Sequence, residues 1–154
     1  MRIMGLDIGE KRIGVAVSDE YGLIARGLPT VNRTKTQEDI RQLADIAQKW
    51  SVEKIVVVMP RNMNGSYGPQ SDLVLDFISR LQQEIELEVI CQDERLTTAA
   101  ARRTLLEGDV SRQKRKKAVD KIAAVLILQS YLDRQGHLES GKLRTATEFK
   151  SREE

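Results

Sequence analysis

Apolar residues occupy Ile3, Met4, Leu6 and Ile8, break at the polar turn Gly9-Glu10-Lys11-Arg12, and resume at Ile13, Val15, Ala16 and Val17. Two short β-rich runs separated by a few turn residues predict a hairpin of adjacent antiparallel strands. A second turn, Ser18-Asp19-Glu20-Tyr21-Gly22, leads into a weaker strand within residues 23–31, which Pro29 marks as an edge. Thr36 stands three residues before Asp39, an approximate capping box. Behind it Ile40, Leu43, Ala44, Ala47 and Trp50 recur at helical spacing and predict a helix over 37–50. Residues 54–59 hold a continuous apolar run, Ile-Val-Val-Val, which reads as a strand buried on both faces with parallel pairing.

The stretch 60–69 is dense in loop formers, after which Leu73, Val74, Phe77, Ile78, Leu81 and Ile85 restore the helical period. A strand over 87–91 follows and runs directly into Gln92-Asp93-Glu94-Arg95. Thr97 or Thr98 can cap a helix through Leu106 that Gly108 ends. A last strong helix is expected over 118–134, and the polar residues 136–154 are expected to form a loose tail beyond a domain of 1–135. The expected fold is therefore α/β. Three antiparallel strands open a mixed five-stranded sheet, parallel strands complete it, and helices flank it.

Composition narrows the function classes. A chain of 154 residues suits one domain, and 31% charged against 40% apolar residues describes an ordinary soluble globule. The single cysteine, Cys91, rules out an intrachain disulfide framework and fits a reducing, cytoplasmic setting. No apolar run approaches the ~20 residues that span a bilayer, and the charged first strand pattern is unlike a signal peptide. The net charge of +2 says little about partners, but its distribution says more. Between residues 102 and 117 stand seven cations, Arg102, Arg103, Arg112, Lys114, Arg115, Lys116 and Lys117, against Glu107 and Asp109. Such a cluster fits phosphate neutralisation, and equally fits a solvated surface. The loop 60–69 offers Arg61, Asn62, Asn64 and Ser66 as donors, has Gly65 and Gly68 to allow close backbone approach, and exceeds the usual ~2–6 residues of a βα connection.

Asp7 is the residue that asks for an explanation. It lies in an apolar strand, where an aspartate has low propensity and is costly to bury without a partner. Ligands of open α/β sheets gather at the carboxyl ends of parallel strands, the rim at which Asp7 and the pair Asp93 and Glu94 are both expected. Asp120 heads the stripe Ala123, Ala124, Ile127, Leu128 and Tyr131 of the last helix, the face that must meet the sheet. Each has a plainer reading: a strand-end hydrogen bond, a solvated turn, a favourable helix-dipole position. Taken together, three carboxylates from three elements would repel one another without a cation between them. An all-oxygen set suits Mg²⁺ or Mn²⁺ and not zinc. Two such ions can activate water and stabilise the leaving oxygen of a phosphodiester. The only histidine, His137, falls in the tail, and no Ser-His-Asp or Cys-His arrangement competes.

Four blocks carry a family resemblance. They are Gly5-Leu6-Asp7-Ile8-Gly9-Glu10-Lys11-Arg12-Ile13-Gly14-Val15-Ala16-Val17, Met59-Pro60-Arg61-Asn62-Met63-Asn64-Gly65-Ser66, Asp93-Glu94-Arg95-Leu96-Thr97-Thr98 and Asp120-Lys121-Ile122-Ala123-Ala124. In this order, over about residues 1–134, the sequence resembles the bacterial pre-16S ribosomal RNA nuclease family, also described as Holliday-junction-resolvase-like. The resemblance implies an RNase H fold and a metal-binding, catalytic triad of Asp7, Glu94 and Asp120, with Asp93 as a further ligand. It implies nucleic-acid contacts from Lys11, Arg12 and Arg95 besides the loop and basic-cluster residues above. The usual Gly-Leu-Pro of the second block is Val58-Met59-Pro60 here, its usual Asp is Asn64, and Lys121 and Ile122 replace small residues.

The function so implied is Mg²⁺- or Mn²⁺-dependent hydrolysis of the 16S rRNA precursor, with ribosomal particles as further partners. Two alternatives stay open: a Holliday-junction resolvase acting on branched DNA, and a non-catalytic nucleic-acid-binding protein in ribosome or transcription function. The D-x-G hairpin also resembles the phosphate loop of sugar kinases and Hsp70-type ATPases, whose second lobe 154 residues cannot supply. A resolvase cutting two strands symmetrically usually needs a two-fold dimer. The pattern shows no dimer surface, so a monomer or weak homodimer is expected.

Overall fold

The computed structural model describes residues 1–59, 68–93 and 122–136. Its strands are β1 (Arg2–Ile8), β2 (Arg12–Ser18), β3 (Ala25–Asn32), β4 (Val52–Met59) and β5 (Glu88–Asp93). Its helices are α1 (Thr36–Lys49), α2 (Pro69–Glu84) and a third, α3, described over 122–136. The sheet order is β3-β2-β1-β4-β5. β1 pairs antiparallel with β2 and parallel with β4, β2 pairs antiparallel with β3, and β4 pairs parallel with β5. This is the mixed sheet that the hydrophobic pattern predicts.

Strand alternation divides the core in two. Met4 and Leu6 of β1, with Ile13, Val15 and Val17 of β2 and Ile55, Val57 and Met59 of β4, pack under α1 and α2. Ile3 of β1, Ala16 of β2 and Val56 and Val58 of β4 face the other way, against Ala124, Ile127, Leu128, Tyr131 and Leu132 of α3. Fully burying a Val, Leu or Ile side chain contributes roughly 1.5–3 kcal/mol, so covering both faces is what makes the run in β4 stable. Gly5 sits where β1 and α3 come closest. A Cβ at that position would stand 2.8 Å from Leu128 Cβ and 3.3 Å from the Ala124 carbonyl oxygen.

Three expectations need correction. The helix expected to begin with a Thr36 capping box has Lys35 at its N-cap, with no side-chain cap bond. Asp39 instead is fully buried and reaches back past the helix start to accept from the Thr34 N–H at 3.0 Å. The second helix begins four residues before the first predicted apolar contact, because Pro69 fits a first helical turn that needs no amide donor there. β5 extends through Asp93, so Gln92 and Asp93 are strand residues and not a turn beyond it. Gln92 joins the strand because its side chain has a partner on α3, described below. The loop 60–67, the helix expected over 97–106 and the tail beyond 136 lie outside the described residues. No helix among the described residues is long and apolar enough to cross a membrane.

Candidate nuclease site

The sheet brings one rim together. The carboxyl ends of β1, β4 and β5 meet the start of β2 and the end of β3, so Asp7, Asp93, Arg12 and Asn32 lie at or next to strand ends along one rim. Asp7 is half-buried and registers against Gly14. Ile3 packs on α3 and Gly5 nearly touches it, so strand alternation sets Asp7 on that same face. Leu132 lies beside the Gly22 turn near Met1 and Leu128 beside Gly5, so α3 runs antiparallel to β1 and its early turns approach Asp7. The small residues Ala123 and Ala124, both buried, allow that approach.

Gln92 lies on this face too. It registers against Val58, is buried, and donates from Nε2 to the Ile127 carbonyl at 3.3 Å. Its Oε1 is buried with no hydrogen-bond partner among the described residues. Asp93 registers against Met59, whose side chain belongs to the α1–α2 face. Alternation therefore places Asp93 on the opposite face from Asp7. Cys91 shares that opposite parity. The residue is exposed, yet partial burial of its sulfur pushes the thiol above its ordinary pKa, which leaves it a protonated, poor nucleophile.

A brace that sequence reasoning missed holds the turn after Asp7. Gly9 donates to the Arg12 carbonyl at 2.9 Å, and a Cβ on Gly9 would come within 2.7 Å of the same oxygen. Arg33, just after β3, donates from its backbone to the Lys11 carbonyl at 2.9 Å and from Nη1 to the Gly9 carbonyl at 3.0 Å. Its Nε lies 3.3 Å from Asp39 Oδ2, and the guanidinium stands 5.3 Å from the Phe77 ring centre of α2. One side chain thus ties the β1–β2 turn to α1 and α2. The charged pair Arg33 and Asp39 is six residues apart across a strand–helix boundary, a spacing that carries no periodic signal in sequence.

Of the expected site residues, Asp7 and Asp93 are described, as are the exposed Lys11 and the half-buried Arg12 at the rim. Glu94, Asp120, Arg61, Asn62, Asn64, Ser66 and Arg95 lie outside the described residues, together with Arg102, Arg103, Arg112, Lys114, Arg115, Lys116 and Lys117. Among the described residues, no three His, Cys, Asp or Glu stand close enough to hold a metal ion.

The family model described as RuvX, Holliday junction resolvase, matches residues 1–134. A Clostridium tetani protein named for pre-16S rRNA nuclease activity is 53% identical over 133 residues, covering 86% of this chain and 96% of its own length. The chain belongs to the RuvX family. A Heliobacterium modesticaldum relative of the same name is 51% identical over 138 residues, covering 90% of this chain and 93% of its own. Among solved structures, Thermus thermophilus RuvC in complex with a Holliday junction substrate superposes with a TM-score of 0.57 at 14% identity. It covers 88% of this chain and 96% of that one. The likeness is one of fold, an RNase H-like sheet shared with resolvases. In this RuvX family member the expected fold and family are both as the four sequence blocks imply.

Proposed function

We propose that this protein is a divalent-metal-dependent nuclease that hydrolyses phosphodiester bonds in the 16S rRNA precursor, with Asp7, Glu94 and Asp120 as its catalytic carboxylates. The observation that carries the reading is the placement of Asp7 at the carboxyl end of β1, on the face where Gly5 lets α3 come into contact. Asp120 stands two residues before the first described residue of that helix, and Glu94 directly follows Asp93. Strand parity sets Gln92 on the Asp7 face and Asp93 on the other. Glu94 is therefore preferred to Asp93 as the second donor.

The donor chemistry fits hard cations. The described part of this face carries the Asp7 carboxylate near the strand end and the buried Oε1 of Gln92, which has no hydrogen-bond partner among the described residues. The three carboxylates would hold Mg²⁺ or Mn²⁺. When bound, a pair of such ions supplies an activated water and charge stabilisation for the leaving oxygen. The protein's own part is to supply the carboxylates and to bring phosphates to them. Lys11 and Arg12, on the braced turn, support that second task, as do the cations of 102–117. The relatives named for pre-16S rRNA favour precursor rRNA as substrate. The family description favours a second reading, cleavage of branched DNA.

The deciding experiment offers precursor 16S rRNA and a four-way DNA junction side by side, with and without Mn²⁺, to wild type, Asp7→Asn and Asp120→Asn. Metal-dependent cutting of the RNA is expected from wild type, and its loss from both variants with RNA binding kept. Cutting of the junction alone transfers the activity to branched DNA. No cutting of either substrate leaves a nucleic-acid-binding protein.

A further inference from the structure

Away from the carboxylates, a groove of about 570 Å³ runs between the edge strand β3 and helix α1. Asn32 and Thr34 line the end nearest the catalytic rim, and Lys49 and Trp50 line the far end. Asn32 registers against Arg12, so the groove opens beside the braced turn that follows Asp7. Trp50 carries a second layer of charge. The guanidinium carbons of Arg2 and Arg26 each lie 5.8 Å from its ring centre, and Arg2 also donates to the Trp50 carbonyl at 3.2 Å. Arg26 is exposed.

The character of the walls narrows the occupant. Among the described residues no carboxylate lines this groove, and its one charged wall residue is Lys49. Asn32 and Gln42 add uncharged donors along it, while the Thr34 hydroxyl is held by Glu38 at 3.0 Å. An open strand edge beside a helix would ordinarily suit an added peptide strand. Here the edge is blunted. Pro29 lacks an N–H, and the register shift between Ile13 and Val15 marks a bulge opposite residues 29 and 30. A ligand that binds through backbone pairing is poorly served, whereas one that offers phosphates and flat rings is well served. Cations beside an aromatic ring are the elements with which proteins hold single-stranded nucleic acid.

We infer that the β3–α1 groove binds a single-stranded segment of the RNA substrate leading away from the cut bond. Phosphates would lie along Lys49 and Arg26, and a base would meet the Trp50–arginine stack. The inference rests on the nuclease reading, because it takes the strand from the rim at Asn32. It assigns the single-stranded part of the substrate to the face opposite α3, and the structured part to the α3 side.

Trp50 is the only tryptophan, so its emission reports on the groove directly. The cleavage-dead Asp7→Asn protein is titrated with single-stranded decauridylate and with a blunt RNA duplex of equal length, while anisotropy of labelled RNA follows total binding. The decamer is expected to change Trp50 emission saturably and the duplex to leave it unchanged. Two surface substitutions, Arg26→Ala and Lys49→Ala, together should lower the salt slope of log K for the decamer by about 1.4, two single-strand phosphate contacts. Bound decamer with silent Trp50 emission, an equal response to duplex, or an unchanged salt slope overturns the groove assignment. The cleavage assay stands apart. Normal cutting with a silent Trp50 removes the groove alone, and a responding Trp50 without any cutting removes the nuclease reading while the groove remains.

Discussion

At Gly5 a single methyl group decides how closely the closing helix can lie. Leu128 Cβ would be 2.8 Å from an alanine side chain there, and Ala124 O 3.3 Å. Gly5→Ala should cost about 1–3 kcal/mol, read as a lower denaturation midpoint. Adding Leu128→Ala should not restore it, since the clashing atom is the β-carbon that alanine retains. Asp19 gives a pH-dependent counterpart. It accepts from the Leu23 and Ile24 amides at 2.7 and 3.1 Å, and these bonds hold its carboxyl below the ordinary range. A group depressed in the folded state stabilises above its unfolded pKa, and the contribution disappears as pH falls through the lower folded value. The stability gap between wild type and Asp19→Ala, followed by thermal melts, should therefore be constant near neutrality and close as acid is added below the usual carboxylate range. The oddity of Asp7 was legible in the sequence because an apolar strand surrounds it. Gln92 was not, since a glutamine beside a charged turn looks solvated until the helix carbonyl of Ile127 is seen against it.

Elements were legible wherever a period was clean. The stripe Ile40, Leu43, Ala47 is buried in α1, and Ala123, Ala124, Ile127, Leu128 and Tyr131 are buried in α3, as their spacing requires. Ends were less legible, because caps depend on contacts from other elements. The Thr36 and Asp39 spacing has the form of a local cap, but Asp39 turns to Thr34 and to an arginine that is bound to a different turn. Arg33→Met should destabilise by about 2–3 kcal/mol in chemical denaturation, less than the ~3–5 kcal/mol of breaking a fully buried pair, because the arginine side is 22% exposed. Arg33→Lys should recover only part, as an ammonium cannot keep the forked bonds to Asp39 and Gly9. The more exposed pairs Lys54–Glu88 and Arg80–Asp76 should contribute little by comparison.

For the molecule as a whole, strand direction followed from the alternation of patterns, because short turns favour antiparallel neighbours and an intervening helix favours parallel ones, whereas the order that sets β1 beside β4 was not legible. The division of the sheet into two faces could not be read with the same ease. β4 is apolar at every position from 55 to 59, so nothing in its sequence says which residues meet α3. β1 holds a special place in this plan. It joins the antiparallel half, assembled from neighbours in sequence, to the parallel half, whose β1–β4 pairing closes a long loop. The earliest segment of the chain is thus the one that has to wait: it can zip to β2 at once, yet its other side and Asp7 reach their final setting only after the remainder has been added.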